Sequence, residues 1–247
     1  MSHRGPDSMG IYINKSQSVA FGHRRLSIID LEKTGNQPME DVSGQFVIVF
    51  NGEIYNYLEV KKELTTLGHH FKSNSDTEVI LEGFKRWGVD IVDRLIGAFS
   101  FAIYDNMKQE IFLARDRAGE KPLYYEINKD EFYFSSEIKG LLSLNTKQRE
   151  VDKKSLDLYL TYGYVPGDKS FVKDIRKLEA GKGLIYSLKT HEVDVFTYWK
   201  LPSFDSSVKR TAFELIEEAE ELLEDSIKLQ LRADVPVGIL LSGGIDS

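Results

Sequence analysis

The apolar residues near the start of the chain fall into two extended runs that are rich in Val, Ile and Phe. They cover residues 18–29 and 45–50. Such runs predict strands, because β-branched and aromatic side chains suit a pleated, half-buried surface. Each run leads into a polar position, Asp30 and Asn51, where we expect a turn.

Apolar residues then recur at helical spacing in residues 57–67 and 76–87. A glycine follows each segment, at Gly68 and Gly88, and glycine is common just after the last helical residue. The chain therefore predicts two helices after its first two strands.

Short apolar segments return in the middle of the chain, with turn-forming residues between them. They are residues 97–104, 110–114, 123–127 and 131–134. This succession predicts an antiparallel meander, and residues 183–187 with 193–199 predict a further hairpin. Strands and helices in this order indicate an α+β fold.

The pattern changes after residues 202–208, which have the composition of a linker. Thr211 and Glu214 form a capping box that begins an amphipathic helix of about five turns. Residues 237–241 are then apolar apart from one glycine, and they predict a buried strand that enters a glycine turn. We expect one domain over residues 1–200 and the start of another over 209–247.

The composition narrows the class of protein. At 247 residues with a net charge of −7, the chain can bury a sizeable core, and its scattered Lys and Arg argue against a nucleic-acid partner. No apolar stretch approaches the length of about 18 residues that a membrane span needs, and the chain has no signal peptide. We therefore expect no membrane partner and a cytoplasmic location. The sequence contains no cysteine, which excludes thiolate metal sites and thiol catalysis by this chain.

The histidines do not predict a metal site. His69 and His70 are adjacent and would project in different directions, and His191 lies in a predicted turn. His3 and His23 belong to the motifs described below. Surface or packing roles are favoured for all five.

The segment SGGIDS at residues 242–247 differs from the GxxxxGK[ST] phosphate loop. After an apolar strand, it resembles the pyrophosphate loop of the ATP pyrophosphatase family, which splits ATP between its α- and β-phosphates. The resemblance implies ATP as substrate, with Mg²⁺ offsetting the phosphate charge. The residues that it assigns to ATP are Leu240, Ser242, Gly243, Gly244, Asp246 and Ser247.

Four further motifs lie upstream: HRGPD from residue 3, GHRRLSIID from 22, FNGEIYN from 50 and SNSDTEVI from 73. Each has a plainer interpretation when it is taken singly. Asn51-Gly52 is a strong hairpin-turn signal, and Asp76 suits a helix N-cap. In this order, however, the motifs resemble the glutaminase domain of class II glutamine amidotransferases. With SGGIDS downstream, they resemble the glutamine-hydrolysing asparagine synthetases.

The resemblance implies a fold and a set of glutamine-binding residues. The fold would be a four-layer αββα sandwich of the N-terminal-nucleophile type, lacking its first strands, followed by the beginning of an α/β ATP-pyrophosphatase domain. Arg25 would bind the glutamine α-carboxylate in a bidentate manner. Asp76 and the backbone at Gly52 and Glu53 would bind the α-ammonium. The Asn51 amide and the Gly52 N–H would form an oxyanion hole.

The chain departs from this family at the nucleophile. Members use a cysteine at the mature N-terminus, whereas this chain begins Met1-Ser2-His3. Ser2 is a poor substitute, because it adjoins the HRGPD motif rather than beginning the first strand. We therefore expect a fragment of a longer protein, clipped at both ends, that does not hydrolyse glutamine. Without the first strands we also expect an unpaired sheet edge, an uncovered apolar face and poor folding.

For the parent protein, the resemblance implies that ammonia from glutamine attacks aspartate that ATP has adenylated, giving asparagine, AMP and pyrophosphate. Glutamine, aspartate and ATP are then the partners, and a homodimer is compatible with the family. One alternative is an amidotransferase that acts on another carboxylate, in a sugar or peptide precursor or in β-lactam closure. Another is an inactive glutamine-binding remnant.

Overall fold

Antiparallel strands form three sheets in the computed structural model, which describes residues 1–144, 148–203 and 210–244. The strands are β1 (Ser8–Ile13), β2 (Ala20–Arg25), β3 (Met39–Glu40), β4 (Phe46–Ile54), β5 (Gly97–Asp105), β6 (Glu110–Arg115), β7 (Tyr124–Asn128), β8 (Glu131–Ser135), β9 (Ile175–Lys177), β10 (Lys182–Ser187) and β11 (Val193–Thr197). The helices are α1 (Tyr57–Thr66), α2 (Asp76–Trp87), α3 (Ile91–Arg94), α4 (Ile138–Leu142), α5 (Lys153–Tyr162) and α6 (Ala212–Gln230). The predicted α+β class is confirmed.

The largest sheet has the strand order β11-β10-β6-β5-β4-β3. Successive residues of β4 point to opposite faces, so this strand contributes to two hydrophobic cores. Val47 and Val49 pack with Tyr104 against the smaller sheets, β1-β2 and β8-β7-β9. Ile48 and Phe50 pack on the other face, which α2 and α3 cover. The result is a layer of helices on two layers of sheet, and α4 contacts β7 and β8 in the second sheet layer.

The two helices predicted after the first strands are confirmed. α1 ends at Thr66, and α2 covers the predicted residues before Gly88, which has φ +61°. The plainer interpretation of Asp76 as an N-cap is wrong. Ser75 is the cap, because its side chain accepts the N–H of Thr77, and Asp76 is the first residue of the helix.

The predicted meander is wrong in its second half. β6 pairs with β5 and β10, whereas β7 pairs with β8 and β9 in another sheet. The chain leaves the large sheet after Arg115 because the carboxylate of Asp116 accepts the N–H groups of Glu120 and Lys121. The predicted hairpin of β10 and β11 is confirmed.

Two other expectations near the start of the chain need correction. Asn51 lies within β4 and faces Ser100 across the ladder, so it is not in a turn. The long pairing of β4 with β5 outweighs the local turn preference. β2 ends at Arg25, and the residues that follow form a loop around its side chain. β1 exposes Met9, Ile11 and Ile13, so one apolar face is uncovered as expected.

α6 follows the β10–β11 hairpin in the sequence, and its predicted capping box is confirmed. The buried strand predicted for residues 237–241 is wrong. This segment has no regular structure, and Leu240 is 97% exposed. A strand needs a neighbour for its N–H and C=O groups, and none of the described strands pairs with it. Asp246, Ser247 and most of the predicted linker lie outside the described residues.

Candidate functional site

A cavity of about 220 Å³ lies among β2, the end of β4 and the start of α2. Residues from all three elements line it, although they are far apart in the sequence. They include the whole set predicted to bind glutamine: Arg25, Asn51, Gly52, Glu53 and Asp76. The structure thus brings this predicted site together.

Gly52 allows β4 to pass close to β5 at the cavity. Its φ is +151°, and a Cβ at this position would lie 2.7 Å from the Cα of Phe99 and closer still to the carbonyl of Ala98. Only glycine adopts this backbone without strain. Because side chains alternate along a strand, Asn51 and Glu53 lie on the same face of the sheet, on either side of Gly52.

Three polar atoms at the cavity are buried and have no hydrogen-bond partner among the described residues. They are Nδ2 of Asn51, Oε1 of Glu53 and Nδ1 of His23. Buried polar atoms are rarely left unpaired, because the missing bond costs about 1–3 kcal/mol. A donor and two other polar atoms are therefore available to a ligand in one place.

Asp76 is buried at the start of α2, and its Oδ2 accepts the N–H of Ile54 at 3.0 Å. Burial, together with the nearby charge of Glu53, raises the pKa of its carboxyl to about 7. Burial also raises the pKa of Glu53, against an opposing effect of Lys121. The cavity therefore holds two carboxyl groups whose ionisation is disfavoured by burial, and Lys121 partly offsets this effect at Glu53.

Arg25 lines the cavity, but its guanidinium is turned towards the loop that follows β2. Nη1 donates to the carbonyl of Glu32 at 3.0 Å and to Oδ1 of Asn36 at 3.1 Å. Nη2 donates to the carbonyls of Ile29, at 3.2 Å, and Asp30. The bidentate fork expected for a ligand carboxylate is occupied by loop acceptors in this structure.

Sequence reasoning assigned no role to His23, Gln37 and Lys121, which also line the cavity. Burial lowers the pKa of His23, whose Nε2 lies 2.9 Å from the carbonyl of Phe50. Oε1 of Gln37 accepts the N–H of Phe50 at 2.6 Å, and its Nε2 donates to the hydroxyl of Thr77 at 3.2 Å. His23 lies in the GHRRLSIID motif, which was a usable signal; Gln37 lies in an ordinary polar loop.

Two protein-family models match the chain. The model described as "Glutamine amidotransferase domain" matches residues 1–199, and the model described as "Asparagine synthase" matches residues 218–247. The chain belongs to the glutamine amidotransferase domain family. The resemblance drawn from the four motifs and SGGIDS is thereby confirmed.

Several curated relatives of this amidotransferase domain carry asparagine synthetase names. A putative glutamine-hydrolysing asparagine synthetase 2 of Methanocaldococcus jannaschii is 41% identical over 100% of this chain and 50% of its own length. Asparagine synthetase 1 of Bacillus subtilis is 38% identical over 99% of this chain and 38% of its own length. Amidase chry2 of Gibberella zeae is 34% identical over 100% of this chain and 36% of its own length. The chain spans half or less of these relatives.

Solved structures confirm the fold class. Glutamine phosphoribosylpyrophosphate amidotransferase of B. subtilis, complexed with ADP and GMP, matches with a TM-score of 0.51 and 21% identity over 73% of this chain and 35% of its own. The allosteric regulatory enzyme of purine biosynthesis matches with a TM-score of 0.52 at the same identity and coverage. At this identity the likeness shows the N-terminal-nucleophile type of fold alone.

Within the amidotransferase domain, the HRGPD motif contacts Glu137, which lies just before α4. Nε2 of His3 lies 2.8 Å from Oε1 of Glu137, and Nη1 of Arg4 donates to the same oxygen at 3.4 Å. Hydrogen bonds from Lys139 and His3 lower the pKa of Glu137. Arg4 also lines the cavity, so this contact connects the start of the chain to the predicted glutamine site.

The residues predicted to bind ATP are not part of this cavity. Ser242, Gly243 and Gly244 are exposed, and the N–H of Gly244 donates to Oγ of Ser242 at 3.3 Å. Gly243 has φ +78°, so the described residues do form a turn. Within residues 1–144, 148–203 and 210–244, no three His, Cys, Asp or Glu residues converge as metal ligands, and no helix is both long and apolar enough to cross a membrane.

Proposed function

We propose that this chain binds free glutamine and forms the glutaminase portion of an ATP-dependent asparagine synthetase. The observation that carries the proposal is the pair of buried polar atoms at Asn51 and Glu53 that find no partner among the described residues, in one cavity with Asp76. The cavity volume of about 220 Å³ is below the about 300–1,000 Å³ of pockets for drug-sized molecules, so the cavity suits a smaller ligand.

The α-ammonium of glutamine supplies a further cation beside the two buried carboxyl groups. Glu53 and Asp76 both have pKa values raised by burial, and a bound ammonium lowers both by favouring the ionised carboxylates. Asp76 and the backbone at Gly52 and Glu53 form the ammonium subsite. The α-carboxylate binds Arg25, which exchanges loop acceptors for the ligand.

The side-chain amide of glutamine lies at the other end of the site. Nδ2 of Asn51 is a buried donor without a partner among the described residues. Together with the N–H of Gly52, it forms an oxyanion hole for a tetrahedral intermediate. Losing one such donor costs about 100-fold to 1,000-fold in turnover.

Hydrolysis also needs a nucleophile, and the chain contains no cysteine. Ser2 lies in an exposed turn outside the cavity lining. We infer that this chain binds glutamine but releases no glutamate by itself. Glutamate release that disappears in Ser2→Ala would contradict this inference.

In the whole protein, ammonia from glutamine attacks aspartate whose β-carboxylate has been adenylated by ATP. Residues 1–200 form the glutaminase domain, and residues 209–247 begin the domain that binds ATP. Leu240, Ser242, Gly243, Gly244, Asp246 and Ser247 contact the ATP phosphates, and Mg²⁺ arrives with the nucleotide. Small molecules are the partners, in a cytoplasmic homodimer.

Calorimetric titration with L-glutamine tests the proposal directly. We expect the chain to bind L-glutamine and not D-glutamine, because the ammonium and carboxylate subsites fix the configuration at Cα. Asn51→Ala should weaken binding at least fivefold, since the loss of one hydrogen bond costs about 1 kcal/mol or more. Asn128→Ala, on β7, is the matched control and should bind as the wild type does. Equal affinity for both enantiomers would contradict the proposed site.

A second acceptor remains a candidate, because one relative bears the name amidase chry2. The described residues include no acceptor pocket that distinguishes aspartate from another acid. If the whole protein forms asparagine and AMP from aspartate, ATP and glutamine, aspartate is the acceptor. If AMP forms only with a different carboxylic acid, that acid is the acceptor.

A further inference from the structure

Residues 232–234, which follow α6, contact the amidotransferase domain, and we name them the docking segment. Nη1 of Arg232 donates to the carbonyl of Tyr55 at 2.7 Å. Its two terminal nitrogens also bond the two carboxylate oxygens of Glu59, each at 2.6 Å. A bidentate pair fixes orientation as well as distance. The docking segment therefore has a defined position against the first turn of α1.

The last residue of the docking segment bonds the loop that follows β2. The carboxylate of Asp234 accepts the N–H of Asp30 at 2.8 Å, and its own N–H donates to the carbonyl of Ile28 at 2.9 Å. We name residues 28–36 the arginine loop, because they surround the guanidinium of Arg25. Asp234 thus holds this loop through backbone atoms of Ile28 and Asp30 that Arg25 does not use.

Asp30 transmits this contact into the site. It is buried and has φ +55°, an uncommon conformation for a residue with a side chain. Its carboxylate accepts the N–H of Glu32 at 3.1 Å and that of Asn74 at 2.9 Å, and its carbonyl accepts from Arg25. Asn74 leads into α2, so one residue connects the docking segment, the guanidinium and the helix start.

The arginine loop competes with a ligand for Arg25. A guanidinium has five N–H groups, and Arg25 makes four hydrogen bonds to acceptors of this loop. A bidentate contact with a carboxylate requires two of those donors. A ligand carboxylate must therefore displace loop acceptors, and whatever stabilises the loop opposes this displacement.

We propose that the docking segment is an autoinhibitory contact that holds the arginine loop on Arg25 and thereby weakens glutamine binding. The proposal rests on the proposed function, since it takes Arg25 as the ligand of the α-carboxylate. Asp234 is a positioning residue that acts through Asp30 and Arg25. By linkage, bound glutamine weakens docking by the same factor as docking weakens glutamine binding.

Glutamine affinity of three variants tests the proposal. Asp234→Ala removes the acceptor of the Asp30 N–H, and we expect L-glutamine to bind about fivefold more tightly, at the lower end of typical coupling. Asp234→Asn keeps an oxygen that accepts this N–H and should restore wild-type affinity. Asp194→Ala changes an exposed aspartate on β11 and serves as the control. Unchanged or weaker binding by Asp234→Ala overturns the proposal.

Amide hydrogen exchange provides a test that needs no ligand. The N–H groups of Glu32 and Asn74 bond the carboxylate of Asp30 and not Asp234. We expect both to exchange about tenfold faster in Asp234→Ala and at the wild-type rate in Asp234→Asn. A response confined to the amide of Asp30 overturns the coupling. If no form binds glutamine, the proposed function fails, and the exchange rates still decide whether docking controls the loop.

Discussion

The carboxylate of Asp76 accepts the backbone N–H of Ile54 at 3.0 Å, and this bond joins the first residue of α2 to the last residue of β4. Both elements contribute residues to the walls of the cavity. The same carboxylate is buried beside Glu53, so the group that joins the walls is also strained electrostatically. Stability and ligand binding therefore depend on one titration.

We predict that Asp76 lowers stability as the pH rises. Its pKa is about 7 in the folded chain, against about 3.9 for an unperturbed aspartate, so between these values only the folded state keeps the proton. Stability from this group is thus present at pH 4 and is lost as the pH approaches 7. Between pH 5 and pH 8, wild type should lose about 2.5 kcal/mol of unfolding free energy relative to Asp76→Asn. Urea titrations at both pH values measure this; Asp194→Asn should follow the wild type, and parallel curves for Asp76→Asn would contradict the prediction.

Replacing Gly52 should destabilise the chain far more than replacing Gly68. Both have positive φ, but a Cβ at Gly68 meets nothing within 4 Å, whereas at Gly52 it meets the backbone of β5. We expect Gly68→Ala to cost about 1 kcal/mol from backbone strain alone and Gly52→Ala about 3 kcal/mol or more. Chemical denaturation gives both values. Similar losses for the two variants would show that the close approach of β4 and β5 is not limiting.

Replacing Asn14 should lower the stability of the chain much more than replacing Asn51. The Oδ1 of Asn14 accepts the N–H groups of Ser18 and Val19, at 2.9 and 3.0 Å, so Asn14→Ala should cost about 2 kcal/mol. Nδ2 of Asn51 is buried without a partner among the described residues, so Asn51→Ala should cost less than about 0.5 kcal/mol or stabilise the chain. Thermal unfolding of the two variants measures the contrast. An equal loss at both positions would mean that the Asn51 amide is satisfied in solution.

Replacing Arg115 with lysine should destabilise the chain. Its guanidinium donates to the carbonyls of Lys121 and Leu178, each at 2.7 Å, and to that of Gly119. A single ammonium does not reproduce this fork, so we expect Arg115→Lys to cost about 2–3 kcal/mol. Arg176→Lys, at an exposed ion pair, is the control and should lie within about 0.5 kcal/mol of wild type. Equal stability of both variants would contradict a structural role for Arg115.

The sequence predicted those elements whose signals are local. α2 was predicted from the spacing of its apolar residues and from Gly88 after its end, and both signals lie within or next to the segment itself. The capping box at Thr211 was found for the same reason. The cavity residues were predicted through the order of their motifs, since no local property of Arg25 or Asp76 places them side by side.

Expectations failed where distant residues decide the structure. Asn51 has a strong turn preference, but the ladder with β5 holds it in a strand. The position of β7 depends on Asp116, which turns the chain out of the large sheet. The orientation of Arg25 depends on loop carbonyls, and carbonyl groups have no sequence signature.

The salt bridge between Arg232 and Glu59 has a practical consequence for anyone who produces this domain alone. A version ended near residue 203 keeps every cavity residue but loses both Arg232 and Asp234, and with them the hydrogen bonds to Glu59, Ile28 and Asp30. Inhibitors selected against such a shortened domain would meet a different arginine loop. Screening should therefore use material that extends past residue 234.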